Sequence, residues 1–280
     1  MPNTQTDVNP WEEKAKQADQ IKQRMSKIKH KIAIISGKGG VGKSLVTVNL
    51  ATGLARNGRK GKIAILDADL TGPCIPKMMG LKGRKLDLGP AGIKPSLGPE
   101  DIGVVSMDFL LPSDDAPVIW RGPLKMGAIR QFLEEVDWGD MDYLLVDLPP
   151  GTGDESLSIL QLLPEMDGVV IVTIPSEVSQ AVVKKAVTFA RKMNVPILGI
   201  VENMSGMPCP HCGEIIEVFS RGGGAKVSDE MDVELLGSIP LDPQVAADSD
   251  EGIPFIVKHP DSPAAREFTQ IIKKIEKKVE

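Results

Sequence analysis

Short apolar runs alternate along this chain with stretches whose apolar residues recur at helical spacing. Residues 32–36 (IAIIS), 62–66, 102–107, 143–146, 168–174, 197–201 and 235–239 are too short for helices and rich in branched side chains, so they predict buried strands. Between them, Val46, Leu50 and Leu54 suit a helix that stops near Asn57 and Gly58, and further helices are expected over 123–136 and 177–193. Ala264, Phe268, Ile271, Ile275 and Val279 predict a closing amphipathic helix. Strands apolar on both faces, separated by helices, imply an α/β fold: a doubly wound, mostly parallel sheet with helices on both faces and right-handed crossovers. Glycine and proline crowd residues 80–100, where a hairpin or long loop fits better than a helix, and 219–231 holds a short helix after three glycines.

The first thirty residues follow a different pattern. Residues 1–9 are polar, while Trp11, Ala15, Ala18, Ile21, Met25 and Ile28 recur at helical spacing. Lys22, Arg24, Lys27, Lys29 and Lys31 make the end of this amphipathic arm basic, as expected for a solvated face. The organisation expected is a polar tail and amphipathic helix over 1–30, then one domain over 31–280, with a Cys-x-x-Cys knuckle at 207–213.

Candidate chemistry enters where the first strand meets GKGGVGKS at 37–44. The spacing Gly37, Gly42, Lys43, Ser44 between a strand and a helix is that of a phosphate-binding loop. Gly37, Gly39, Gly40 and Gly42 let the backbone around Val41 turn its N–H groups toward an anion at a helix N-terminus. Lys43 supplies a point charge for the outer phosphates and Ser44 a hydroxyl ligand for Mg2+. The second strand ends in Asp67-Ala68-Asp69, beyond the strand ends where open sheets bind ligands. A later strand ends in Asp147 and continues as LPPGTGD, the pattern of a second magnesium-binding element followed by a rigid segment able to sense the outermost phosphate. Asn203 follows another strand, placed to read a purine edge or to serve as a turn residue. Arg121, in a turn before a helix, reads as an ordinary surface residue.

The sequence Cys209-Pro210-His211-Cys212-Gly213 forms a knuckle whose backbone N–H groups can stabilise thiolates. It supplies two soft ligands where zinc or an iron–sulfur cluster normally takes four, and His211 is poorly placed to close the same tetrahedron. The shortfall favours a site shared by two copies of the chain across a two-fold axis, with a redox dithiol as the rival for the pair and zinc as the rival metal. Cys74 is expected to be a buried free cysteine.

Composition narrows the choice. The chain has 280 residues, 41% of them hydrophobic, enough for a sizeable core. A net charge of −5 and a pI near 5.4 leave no global footprint for nucleic acid. No signal-peptide pattern opens the chain, no run of 18 apolar residues offers a membrane span, and three cysteines suggest no disulfide framework. A cytoplasmic protein without nucleic-acid or membrane partners is the expectation.

Taken together, these motifs resemble a known class. GKGGVGKS, with Lys38 near the start of the loop, resembles the deviant Walker A motif of the P-loop ATPases that include MinD and ParA. DADLTGPCIP, DLPPGTGD, ENMS and the CPHCG knuckle resemble the Mrp/ApbC-type iron–sulfur cluster carriers within that class, over roughly residues 31–258. The resemblance implies an ATP-hydrolysing homodimer that passes a [4Fe–4S] cluster to apo iron–sulfur proteins. Lys38 would reach the partner's nucleotide, Lys43 and Ser44 would bind phosphate and Mg2+, and Asp69 would orient the attacking water. Asp147 would support Mg2+, Asn203 would contact adenine, and Cys209 and Cys212 would hold the cluster. One departure stands out: members usually read Gly-Pro-Ser where this chain has Gly72-Pro73-Cys74. The competing class is a MinD/ParA-like positioning or regulatory switch whose cysteines form a structural zinc clip or a redox pair.

Overall fold

A computed structural model of the protein describes residues 10–69, 72–110, 122–209, 211–219 and 222–280. In chain order the elements are α1 (Pro10–Met25), β1 (Ile28–Ser36), α2 (Lys43–Leu54), β2 (Ile63–Asp67), α3 (Ile75–Met78), β3 (Asp87–Gly89), β4 (Gly92–Lys94), β5 (Ser96–Leu97) and β6 (Gly103–Ser106). There follow α4 (Gly122–Glu135), β7 (Met141–Asp147), α5 (Asp154–Leu162), β8 (Gly168–Thr173), α6 (Glu177–Lys192), β9 (Ile197–Glu202), β10 (Met207–Pro208) and β11 (Ile215–Ile216). The last are α7 (Gly223–Met231), β12 (Leu235–Ser238), α8 (Gln244–Glu251), α9 (Phe255–Lys258) and α10 (Pro263–Val279).

Eight strands form one sheet in the order β12-β9-β8-β1-β7-β2-β6-β5. Every pairing in it is parallel except β5 with β6 at the edge. Alternation along each strand divides the core into two layers. Ile32, Ile34, Ile63 and Ile65 face the layer built with α2, α9 and α10, and Ala33, Ile35, Ala64 and Leu66 face the layer built with α1, α4, α5 and α6. Helix α2 is buried nearly all round, because α10 covers the side that the sheet does not. Helix α10 carries a one-sided apolar stripe of Phe268, Ile271, Ile272 and Ile275.

The doubly wound, mostly parallel sheet matches the fold read from the sequence, and residues 87–94 form the hairpin expected there. Several boundaries differ. Strand β1 begins at Ile28, pairing with Met141, so Lys29 and Lys31 of the basic stretch lie on a strand. Lys29 pairs with Asp142, and the buried Lys31 ammonium donates to the Ile28 carbonyl. Ile21 and Met25 of α1 are buried within the second core layer. Residues 1–9, Leu70, Thr71, Arg121 and Pro210 lie outside the described residues. No helix among the described residues is long and apolar enough to cross a membrane.

The connection from β1 runs through α2 to β2 on one side, whereas that from its neighbour β7 runs through α5 to β8 on the other, so the two leave in opposite directions. The crevice beyond the carboxyl ends of β1 and β7 is the switch point where such sheets bind ligands.

Candidate functional site

Three neighbouring strands end in register. Asp67 at the end of β2 lies opposite Asp147 of β7 and Ser106 of β6. The parallel ladder thus lines up two carboxylates and a hydroxyl beside the loop that leaves β1. Asp147 is fully buried, and both its oxygens are occupied. The Lys43 ammonium lies 2.7 Å from Oδ2, the Ser44 hydroxyl donates to Oδ2 at 2.5 Å, and the Thr47 hydroxyl donates to Oδ1 at 2.7 Å. Asp69 Oδ2 stands 3.8 Å from the same ammonium. Asp67 accepts from Ser106 at 3.1 Å and from the Asp69 backbone N–H at 3.3 Å.

Electrostatics here follow from burial. Loss of hydration raises the Asp67 carboxyl well above the usual carboxylate range, with the Asp147 charge adding to the shift and the Lys43 ammonium opposing it. Cys74 borders the same cluster, with its thiol within hydrogen-bonding reach of Ser44, and burial pushes it up to about 11.

The loop itself is shaped by close contacts. Gly42 has φ of 81°, and a side chain there would also meet the Asn203 amide nitrogen at 2.2 Å. A Cβ on Gly37 would fall 2.7 Å from the Val182 carbonyl oxygen of α6. Only glycine satisfies both demands at position 42: left-handed backbone and no Cβ. Asn203 is buried and donates its amide to the Val41 carbonyl at 2.9 Å. The segment after β7 runs alongside, with Leu148 N–H bonded to Ile34 and Gly151 N–H bonded to Ser36. Among the described residues the half-exposed Lys38 ammonium has no hydrogen-bonding or ionic partner.

The fold therefore gathers Gly37 to Ser44, Asp69, Asp147 and Asn203 at one end of the sheet. Cys209 and Cys212 sit apart from the carboxylates, on the hairpin of β10 and β11 that follows β9. That hairpin is closed by Cys209 N–H to Glu214 and Gly213 N–H to Cys209. Backbone N–H groups of Cys212 and His211 lower the Cys209 thiol below its usual range. Among the described residues, no group of three His, Cys, Asp or Glu side chains is placed to hold one metal ion. Thr47 and Ser106 were not singled out in the sequence, and only Asp69 of the Asp67–Asp69 pair was given a role. Thr47 sits one helical turn beyond Lys43, a spacing that allows the contact without announcing it.

A glycine-rich loop with a buried lysine and hydroxyl at a helix start, facing a strand-end aspartate, defines a P-loop nucleotide-binding protein of the MinD/ParA type. A nucleotide-binding protein from Archaeoglobus fulgidus, solved in complex with ADP, superposes with a TM-score of 0.78 at 41% identity, covering 90% of this chain and 96% of that one. The cell division ATPase MinD of Pyrococcus furiosus gives 0.66 at 26% identity, covering 89% and 99%. Residues 27–276 match the family model described as ParA, NUBPL iron-transfer P-loop NTPase, and the chain belongs to that family. An iron-sulfur cluster carrier protein of Saccharolobus solfataricus is 54% identical over 260 residues, which is 93% of this chain and 87% of the relative.

Proposed function

We propose that this chain is a Mg2+-dependent ATPase that carries a [4Fe–4S] cluster between two copies of itself and delivers it to apo iron–sulfur proteins. One observation supports this reading most directly: the phosphate loop and the thiol pair are joined through a few residues. Asn203 holds the loop at Val41, and the cysteine hairpin begins at Met207. Movement of the loop on nucleotide exchange would bear directly on the root of the hairpin.

The residues suit their assigned partners. Lys43 would exchange its contact with Asp147 for the outer phosphates, freeing that carboxylate. Ser44 and Asp147 offer hard oxygen donors that fit Mg2+, which would supply charge neutralisation between the phosphates. Asp69, near Lys43 and at the edge of the site, would orient the attacking water. Asn203 would present the remaining face of its amide to adenine. When hydrolysis removes the terminal phosphate, the 148–153 segment loses an anion to rest against and the dimer loosens. The cluster is cargo in this scheme, held by Cys209 and Cys212 from each copy. These two thiols suit a soft metal, since the knuckle N–H groups already favour thiolate at Cys209.

The test is anaerobic reconstitution with iron and sulfide, followed by absorption spectroscopy and metal analysis. The expected result is thiolate-to-iron absorption that disappears in Cys209→Ala and Cys212→Ala. Zinc without iron, or absorption that survives both substitutions, would remove the carrier reading.

A further inference from the structure

The cysteine hairpin also carries an uncovered apolar strip. Four of the five residues at 215–219 are exposed apolar side chains: Ile215 at 53%, Ile216 at 43%, Val218 at 46% and Phe219 at 37%. Ile215 and Ile216 are adjacent on one strand, so they point to opposite faces of the ribbon, and both faces are apolar. The ladder itself is minimal, with Met207 opposite Ile216 and Pro208 opposite Ile215. Such a ribbon is marginal in water when neither face is packed. Its root is nevertheless fixed, because Ser205 N–H bonds to Ile239 and Leu241 N–H bonds to Gly206. A clustered apolar patch on a firm root marks an interaction surface.

We infer that Ile215, Ile216, Val218 and Phe219 form the contact through which a second copy of this chain seals the shared metal site against water. The inference rests on the carrier reading for its metal and on the strip for its contact. A second copy is favoured over other occupants by the ligand arithmetic. The hairpin holds two thiols, and among the described residues no three potential ligands gather in one chain. A two-fold axis that completes four thiolates necessarily brings two such hairpins side by side, each facing the same surface of the other. The attraction between copies would come from the apolar side chains of the strip.

The strip is tested in the full chain with Ile216→Ser combined with Val218→Ser, both exposed positions whose change leaves the core intact. Association is measured by sedimentation with ATP, in metal-free protein and after iron–sulfide reconstitution. The expected result is dimer association weakened by about tenfold or more in affinity, with nucleotide binding unchanged. Cluster loss to a chelator should be faster by about the same factor. Raising salt from about 0.05 to about 0.5 M should leave wild-type association in place, since salt screens charges and not apolar contacts. A dimer and cluster as durable in the double variant as in the wild type would overturn the strip, whatever the metal. A variant that keeps both yet transfers its cluster slowly would also overturn it, assigning the surface to the recipient. If the wild type holds no iron but its dimer still depends on the strip, the contact stands and the carrier reading falls.

Discussion

At the scale of single residues, the site is controlled by who holds Asp147. Thr47 fixes Oδ1, leaving Oδ2 toward Lys43 and Ser44. In Thr47→Val the fully buried Oδ1 loses its donor, a loss of about 1–3 kcal/mol. The Mg2+ concentration needed for half-maximal binding of a fluorescent ATP analogue should rise about tenfold, and Thr47→Ser should restore it. The cysteines separate by environment as well. Only thiolate reacts with an alkylating agent, so a lowered pKa advances the reaction to lower pH and a raised one delays it. Mass spectrometry of briefly alkylated, metal-free protein should find Cys209 modified first, with its rate half-maximal below pH 9.0, the ordinary thiol value. Cys74, pushed up to about 11, should react last and still be accelerating at the alkaline end of the series. At this scale the loop residues, Asp69, Asp147 and the cysteine pair were legible as motifs. Ser106 and Thr47 were not, because their value lies in a strand register and a helical turn that bring them to carboxylates far away in sequence.

At the scale of elements, β9 connects the two chemistries. Its end carries Glu202, whose carboxylate accepts from Ser205 and from the Gly224 N–H of α7, and then Asn203, which clamps Val41. The clamp requires Gly42 to have no side chain. Gly42→Ala should cost about 1–3 kcal/mol from left-handed backbone alone, with the clash against Asn203 added, and should abolish tight nucleotide binding. Thermal unfolding checks the first part and calorimetric ATP titration the second. The position of Asn203 after a strand was legible. Its bond to the loop was not, since nothing in the sequence pairs residue 203 with residue 41.

At the scale of the molecule, the proposed function makes the phosphate site and the thiol pair each half of a shared site. Lys38 stands partly exposed without a partner among the described residues, although Lys43 nearby is buried and doubly engaged. If Lys38 serves a second copy, Lys38→Ala should leave ATP affinity of the monomer within about twofold while ATP-dependent dimerisation and hydrolysis fall by about tenfold or more. Sedimentation with ATP and phosphate release measure the two effects, and unchanged hydrolysis would count against a shared site. The sequence by itself determined the alternation of strands and helices, the strand-loop-helix around Gly37 to Ser44, and the spacing of Cys209 and Cys212. These are local matters of periodicity, backbone freedom and short-range chemistry. Only the tertiary structure decided that Asp67, Asp147 and Ser106 share one row, that Asn203 ties the phosphate loop to the root of the cysteine hairpin, and that the hairpin leaves its apolar faces bare. Those depend on the order and register of strands in the sheet, and on which surfaces the helices cover, which long-range packing sets.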